Sequence, residues 1–551
     1  MPSLAVLVAV ATGLFCQLPP APAVEDSDAG LTGSSLIANG DFETPNDHGD
    51  WPAGWPTADG ATWERDEDGA RFLRLTSVRP RHMTMLYRAI DLPDGVEALE
   101  LSWRQRVSDL QTGANDWNDA RIIMHLQDAD GERLSPQPPH PATGRSTGGW
   151  QDRSVQFLVP AGAATLEFMP CLLEAEHGVF DLDQVRLVVI EPTPLLEARA
   201  ARIREQTEAV PDPEPDRRDR WPLQLRVEGN RLLDTGGNEV WLQGVNVASL
   251  EWTARGENVL RSIRVAIEDW NANVIRLPVN EDYWFAEAGP AYKKLIDGAV
   301  AAAANRGAWV VLDLHRYRAP RERHAEFWRE AAARYKDHPA VLFDLINEPH
   351  GISWEVWRDG GWVPERPAGA DEDAFLDEAE QRRQRLGFES IGMQALLDAV
   401  RETGAGNLVV VGGLDWAYDL SGILEGFALR DHDHGRGIVY STHVYPWKRG
   451  WQASFLDVAE VHPVLVGEVG ADAVKMDFIP EEAQEDAETW VPAMLALIQQ
   501  HRLHWAAWCF HPSAKPRMLL DWDYTPTPFW GEPARRALAG ERFEPDQRGL
   551  R

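Results

Sequence analysis

Two glutamates close apolar runs that read as strands: Glu348 in Leu345-Ile346-Asn347-Glu348-Pro349, and Glu468 in Val466-Gly467-Glu468. Other polar residues end similar runs. Arg276 sits in Val274-Ile275-Arg276-Leu277-Pro278, and His315 follows Leu312-Asp313-Leu314. His443 and Tyr445 end Ser441-Thr442-His443-Val444-Tyr445, and Trp508 ends the last run. These runs otherwise deliver apolar residues, and an unpartnered carboxylate is costly to bury, so the polar ends need a purpose. Two carboxyl groups facing across one gap are what double-displacement cleavage of a glycosidic bond requires. One protonates the departing oxygen while the other attacks the anomeric carbon, and retention needs them about 5–5.5 Å apart.

The elements that must carry these residues begin near Trp221. A hairpin runs through Leu225-Arg226-Val227, a turn near Gly236-Gly237, and Val240-Trp241-Leu242. Eight strands are then expected: Gln243–Val247, Val274–Val279, Trp309–Leu314, Val341–Ile346, Leu408–Gly412, Ile438–His443, Val464–Gly467 and His504–Cys509. Amphipathic segments lie between them at Val259–Trp270, Tyr292–Ala304, Ala325–Tyr335, Ile391–Thr403 and Trp490–His501, while the fifth and sixth crossovers have a weak helical pattern. Strands alternating with helices in this number predict a (β/α)8 TIM barrel, whose functional residues cluster at the carboxyl ends of the strands. A doubly wound open sheet competes, but no glycine-rich phosphate loop follows the first strand.

From Trp221 to the last strand the sequence resembles glycoside hydrolase family 5, the cellulase and mannanase family. The resemblance rests on Ile346-Asn347-Glu348-Pro349, on Val466-Gly467-Glu468, and on Arg276, His443, Tyr445 and Trp508 in the family's order. It implies Glu348 as general acid/base and Glu468 as nucleophile, with Asn347 on the sugar 2-hydroxyl. It further implies Arg276 and Tyr445 as the groups that keep Glu468 ionised, His315 and His443 on hydroxyls or carboxylates, and Trp508 as the platform beneath the cleaved sugar. No metal or organic cofactor is implied. Trp252, Trp416 and Trp447 each follow a strand and are expected either to stack on sugar rings or to pack loops. The stretch 350–387, with Trp354, Trp357 and Trp362, is a candidate cleft wall. His432-Asp433-His434 reads as a solvated loop in preference to a metal site, and the first strand offers Asn246 where a metal-dependent barrel hydrolase needs a ligand pair. The expected substrate is a β-1,4-glucan, with β-mannan or another β-glucan as alternatives. A non-catalytic glycan-binding barrel is the reading from another class.

Upstream, residues 35–192 read as a β-sandwich of short alternating strands, among them Leu99–Trp103, Arg121–Leu126, Ser154–Val159 and Gln184–Val188. Ile37-Ala38-Asn39-Gly40-Asp41-Phe42-Glu43, Gly54-Trp55 and Phe180-Asp181-Leu182-Asp183-Gln184-Val185 resemble jelly-roll, galactose-binding-like carbohydrate-binding modules of families four and nine. That resemblance makes Trp103, Trp117 and Trp150 candidates for a sugar groove. Asn39, Asp41 and Asp183 are candidates for calcium or, preferably, for ordinary turn chemistry. Residues 193–220 read as a charged helix and a proline-rich spacer, and residues 221–540 as the barrel. Residues 1–23, with the apolar stretch Leu4–Leu18 and Ala21-Pro22-Ala23, read as a signal peptide, so a secreted or periplasmic monomer without a lipid anchor is expected. The net charge of −33 over 551 residues repels nucleic acid and anionic membranes. Three cysteines exclude a disulfide-built scaffold; Cys171 and Cys509 are expected to be free and buried.

Overall fold

The computed structural model describes residues 33–544 apart from 114, 116, 337, 367–380, 382–384 and 477–478. The segment read as a signal peptide and part of the stretch 350–387 therefore lie outside the described residues. The chain divides into two compact units between Ala201 and Arg202. The division falls within a helix, Thr193–Glu208, that buries none of its side chains and so serves as a connector. Among the described residues no helix is long and apolar enough to cross a membrane.

In the first unit, alternation with a period of two decides which residues enter the core. Ile122, Met124 and Leu126 are buried along Ala120–Gln127, and Leu99, Leu101 and Trp103 along Ala98–Gln111. Two five-stranded sheets result. One runs Ala61–Arg65, Arg71–Thr76, His177–Val189, Ala98–Gln111 and Gln151–Leu158. The other is built around Thr165–Leu172 and Ala120–Gln127. Both contribute to one apolar core with Phe42 and Trp55. The Asn39 side chain engages the backbone of Thr44 and Ala53, which is turn chemistry.

In the second unit, eight parallel strands close into a barrel: Gln243–Asn246, Val274–Val279, Trp309–Leu314, Val341–Asp344, Val409–Gly412, Ile438–Val444, Val464–Val469 and His504–Ala507. We number them one to eight. Helices Val259–Glu268, Gly289–Ala304, Glu322–Tyr335, Gly392–Glu402 and Ala487–His501 cover five crossovers. The fifth and sixth crossovers carry only the short wide turns Ile423–Phe427 and Gln452–Leu456, the latter continued by Asp457–Ala459. A turn of that length has no amphipathic stripe, which is why the helical pattern fades there.

The barrel interior is layered by strand alternation. Val274, Val311, Leu342, Val410, Val439 and Leu465 point inward and meet Leu225 and Leu232 of the preceding antiparallel strands Leu225–Glu228 and Arg231–Asp234. Their neighbours Ile275, Val310, Phe343, Val409 and Val466 face the helices instead. Two residues beyond the apolar floor, the inward positions become Arg276, Asp313 and Asp344. The proline-rich stretch is pinned to the barrel unit. Asp212 pairs with Lys294 at 2.8 Å, Glu214 with Arg306 at 2.9 Å, and Asn305 receives Arg217 N–H and Trp221 Nε1–H.

Leu232 is fully buried where the hairpin closes the floor. Leu232→Ala is expected to destabilise the barrel by about 2–5 kcal/mol in urea unfolding, with the loss growing as the cavity fails to collapse. A change below about 0.5 kcal/mol would show that the hairpin does not seal the barrel.

Candidate active site

The site is built around one guanidinium. Strand register sets Asn246 beside Arg276 and Asp313 beside Asp344, so four neighbouring strands aim polar side chains into the barrel. Arg276 is fully buried and donates to Asp344 Oδ2 (2.9 Å), Asn246 Oδ1 (3.0 Å), Glu468 Oε1 (2.9 Å) and Asn347 Oδ1 (2.8 Å). A further ion pair joins it to Asp313 at 3.1 Å. Burial opposes the arginine's charge, but Asp313, Asp344 and Glu468 outweigh it and the pKa is raised. The two aspartates lose in the same exchange. Burial pushes Asp313 up to about 7 and Asp344 to about 8, although Arg276 pulls both down.

Glu468, near the end of strand seven, accepts on both oxygens: Arg276 Nη1 on Oε1, and the Tyr445 hydroxyl on Oε2 at 2.6 Å. The Tyr445 pKa is raised well above its ordinary value by burial and then by Glu468 and Glu348, so it is a proton donor here. Glu348 lies just beyond strand four and pairs with Tyr317 in a two-residue bridge. Its Oε1 lies 2.9 Å from His443 Nδ1. Burial first, and then the charge of Glu468, raises the Glu348 pKa well above the carboxylate range. His443 is driven the other way by burial and then by Arg276, so it is neutral. One oxygen of Glu348, one of Glu468 and one nitrogen of His443 all lie within 4.8 Å of one another. The mouth thus holds a protonated acid and a fully hydrogen-bonded acceptor carboxylate one short gap apart.

Among the described residues this trio is also the one group of His, Cys, Asp and Glu close enough to bind a metal ion. Its chemistry argues for proton transfer instead: Glu468 already receives two donors, and a guanidinium 2.9 Å away repels a cation.

The Glu348–His443 pair stands, with His443 Nδ1 3.7 Å from Glu468 Oε2, beside the hydrogen-bonded network that joins Glu468, Arg276, Asn347 and Tyr445. His315 belongs to it through Asp313, at 2.7 Å, and its ring stacks parallel on Trp508, centroids 5.5 Å apart. Trp416 donates its backbone N–H to Pro349 O and stacks on His350 at 3.8 Å. Trp447 stacks on Tyr445 at 5.0 Å. Trp252 stands outside the network on the first loop, 40% exposed, with its Nε1–H on Glu257. In the stretch 350–387, Trp357 is fully buried and donates to Gly412 O, Trp354 packs on Trp357, and only Trp362 is exposed. His432 meets Asp398 on the surface. In the first unit Trp103 is core and Trp150 is held by Asp66 between Arg104 and Arg106, whereas Trp117 is 60% exposed.

Sequence reasoning passed over Asp313, Asp344 and the role of Asn246. Each lies on the inward face, Asp313 and Asp344 two residues beyond an inward apolar residue, but a continuous apolar run does not reveal which face that is.

These raised values carry a sign for stability. A carboxyl that holds its proton more tightly when folded contributes stability that is lost as pH rises from its ordinary value of 3.8 through about 8. Asp344→Asn cannot ionise and still accepts from Arg276. Its melting temperature is expected to fall less than that of the wild type between about pH 5 and about pH 8.5. Parallel curves would show that Asp344 does not hold this proton.

With this geometry in hand, comparison with known proteins is direct. Residues 233–514 match the family profile described as Cellulase (glycosyl hydrolase family 5). Endoglucanase A of Butyrivibrio fibrisolvens is 29% identical over 234 residues, covering 40% of this chain and 45% of the relative. Endoglucanase N of Pectobacterium atrosepticum is 24% identical over 304 residues, covering 52% and 56%. The chain thus spans about half the length of the curated relatives it matches. Among solved structures, a β-glucanase from Saccharophagus degradans in complex with cellotetraose aligns with a TM-score of 0.46 at 23% identity, covering 60% of this chain and 98% of that one. The profile match takes in the barrel and every member of the network around Arg276, and by it the chain belongs to glycosyl hydrolase family 5.

Proposed function

We propose that this protein is a retaining endo-β-glycosidase that cleaves a β-1,4-glucan, with Glu348 as acid/base and Glu468 as nucleophile. The observation that carries the reading is the short gap, at most 4.8 Å, between a Glu348 oxygen held neutral and a Glu468 oxygen held as acceptor. That separation suits covalent double displacement, since an inverting enzyme needs room for a water between its carboxyls, about 6.5–9.5 Å. Relatives sharing the matched barrel are named endoglucanases, which favours glucan over mannan.

The proposed steps draw on the hydrogen bonds around the two glutamates. His443 Nδ1–H donates to Glu348 Oε1, an assignment made from the hydrogen-bond network, which leaves the acid proton on Oε2 for the glycosidic oxygen. As that bond breaks, Glu468 attacks the anomeric carbon from the opposite face, and its charge passes into the new ester. Loss of the Glu468 charge lowers the Glu348 pKa, so Glu348 becomes the base that takes a proton from water in the second step. Asn347, oriented by Arg276, meets the 2-hydroxyl, a contact that tightens as the oxocarbenium-like state forms. Trp508, set parallel to His315, supplies the apolar floor.

The first unit is read as a jelly-roll sandwich that holds the enzyme on insoluble polymer; the exposed aromatics Tyr87 and Trp117 support this. A polymer too large to enter a cell also fits an exported enzyme.

Glu348→Gln is expected to lower turnover of carboxymethyl-cellulose on the order of 10²–10⁴-fold, and Glu468→Gln to abolish it. Azide should rescue Glu468→Ala on an activated glycoside with inverted product. Inverted azide product from Glu348→Ala in place of Glu468→Ala would reverse the two roles. Cellotetraose binding without turnover by the wild type on glucan, mannan and xylan would establish the non-catalytic reading. Separately, removing residues up to Glu208 should spare activity on soluble substrate and lower it on insoluble cellulose; equal loss on both would make the first unit a structural support.

A further inference from the structure

The loop after strand five holds a backbone conformation that its own residues disfavour. Asp415, Trp416 and Ala417 stand at φ of 53°, 64° and 58°, three consecutive non-glycine residues in the left-handed region. Aspartate tolerates that region by bonding its own backbone; tryptophan and alanine do not. Such residues persist only where the surrounding structure holds them, and they gather at ligand clamps. Here Gly413 bridges to Ala417 and Leu414 to Asp419, Trp416 N–H donates to Pro349 O at 3.1 Å, and Thr442 Oγ1–H donates to Tyr418 O at 2.8 Å.

One further tie is a side chain of the next loop. Lys448 Nζ donates to Asp415 O at 2.9 Å and to Asp415 Oδ2 at 2.8 Å. The lysine is itself anchored: its N–H donates to Tyr445 O, its carbonyl receives Trp451 Nε1–H, and its ammonium lies 5.0 Å from the centre of the Tyr418 ring. Only 12% of its side chain is exposed, so the stem is already ordered and the entropy that cancels most surface ion pairs is small. The consequence falls on Trp416. That half-buried ring lies between His350, parallel at 3.8 Å, and the edge of Tyr317, and Tyr317 pairs with Glu348. On the other loop, Trp447 stacks on Tyr445, the donor to Glu468. Lys448 therefore joins the residue before one tryptophan to the residue after the other.

We propose that Lys448 is a positioning residue, whose bonds to Asp415 hold the strained turn so that Trp416 meets a sugar of the departing chain. The inference rests on the glycosidase reading. The departing side is chosen because Glu348 meets the departing oxygen and Trp416 is bonded to the residue that follows Glu348.

The test compares two substrates on the full chain. Cellotetraose places sugar on both sides of the cleaved bond, whereas the departing atom of β-cellobiosyl fluoride is too small to reach Trp416. Lys448→Met keeps the stem without the donors. It should lower kcat/KM on cellotetraose roughly 10- to 100-fold and on the fluoride by less than about threefold. In Trp416→Ala protein the same substitution should cost less than about threefold on cellotetraose, because the ring through which it acts is gone. Asp415→Gly accepts the positive φ and removes the carboxylate; its expected loss of roughly 3- to 10-fold on cellotetraose decides the matter should the methionine variant fail to fold. Equal losses on both substrates overturn the proposal, and so do additive losses with Trp416→Ala. A loss that only follows a shifted alkaline limb of the pH–rate profile also overturns it, since Lys448 would then act through its charge on Glu348. Wild-type protein that cleaves neither substrate sinks the glycosidase reading, and the same cycle run on cellotetraose affinity then decides the role of Lys448. Absence of any affinity for cellotetraose overturns both.

Discussion

The barrel mouth depends on the buried guanidinium of Arg276. Its planar fork of five N–H groups meets partners on strands one, three and seven and at the end of strand four, so a single side chain fixes the relative heights of Asn246, Asp313, Asp344, Asn347 and Glu468. A lysine would bring one point charge and three donors, too few for five partners at fixed angles. Burying this charge is expensive, and three carboxyl groups offset the expense. Those carboxyls cannot all be ionised against one positive charge. Protons must therefore stay on some of them at neutral pH, and burial directs them to Asp313 and Asp344.

The same inequality separates the two glutamates. Glu468 receives the arginine and the tyrosine; Glu348 receives a neutral histidine and the field of Glu468. Burial and that field keep the proton on Glu348, a few ångströms from an acceptor that two donors already hold. The division follows from which donors each strand end supplies, and those donors follow from strand alternation below: an apolar floor sealed by the hairpin, a charged layer, then the reacting layer. Each layer excludes water from the one above, which keeps the charge–charge terms large.

This layering explains what could be read from the sequence. Barrel strands buried on both faces give continuous apolar runs, so all eight were legible, and a polar residue at a run's end, such as Glu348 or His443, stood out. Asp313 and Asp344 did not, because a run read as wholly buried conceals which of its residues face inward. The short turns at Ile423–Phe427 and Gln452–Leu456 left no periodic trace. The proline-rich stretch reads locally as a spacer; what pins it is Asn305 and Arg306, some 90 residues later in the chain. Tryptophan type was equally silent: Trp103 and Trp357 fill cores while Trp117 faces solvent, and nothing in composition separates them.

The rings around the mouth share one further property. Trp508 lies parallel to His315, Trp416 to His350 and Trp447 to Tyr445, with interplanar angles of 10°, 9° and 5°. A tryptophan free to rotate loses rotamer entropy when a sugar settles on it, on the order of 0.5–1.5 kcal/mol for a mobile side chain. A second ring stacked against it meets that cost during folding. Two of the partner rings add no charge to an already crowded field. Burial drives His350 down to about 3, so it is neutral, and Tyr445 keeps its proton. His350 is tied in turn to the bridge that carries Glu348, because its backbone N–H donates to Arg318 O alongside the Tyr317–Glu348 pairing. The ring stacked on Trp416 and the Glu348 carboxyl are therefore positioned by the same short piece of backbone. A sugar chain aligned by Trp416 would be aligned with respect to Glu348 as well.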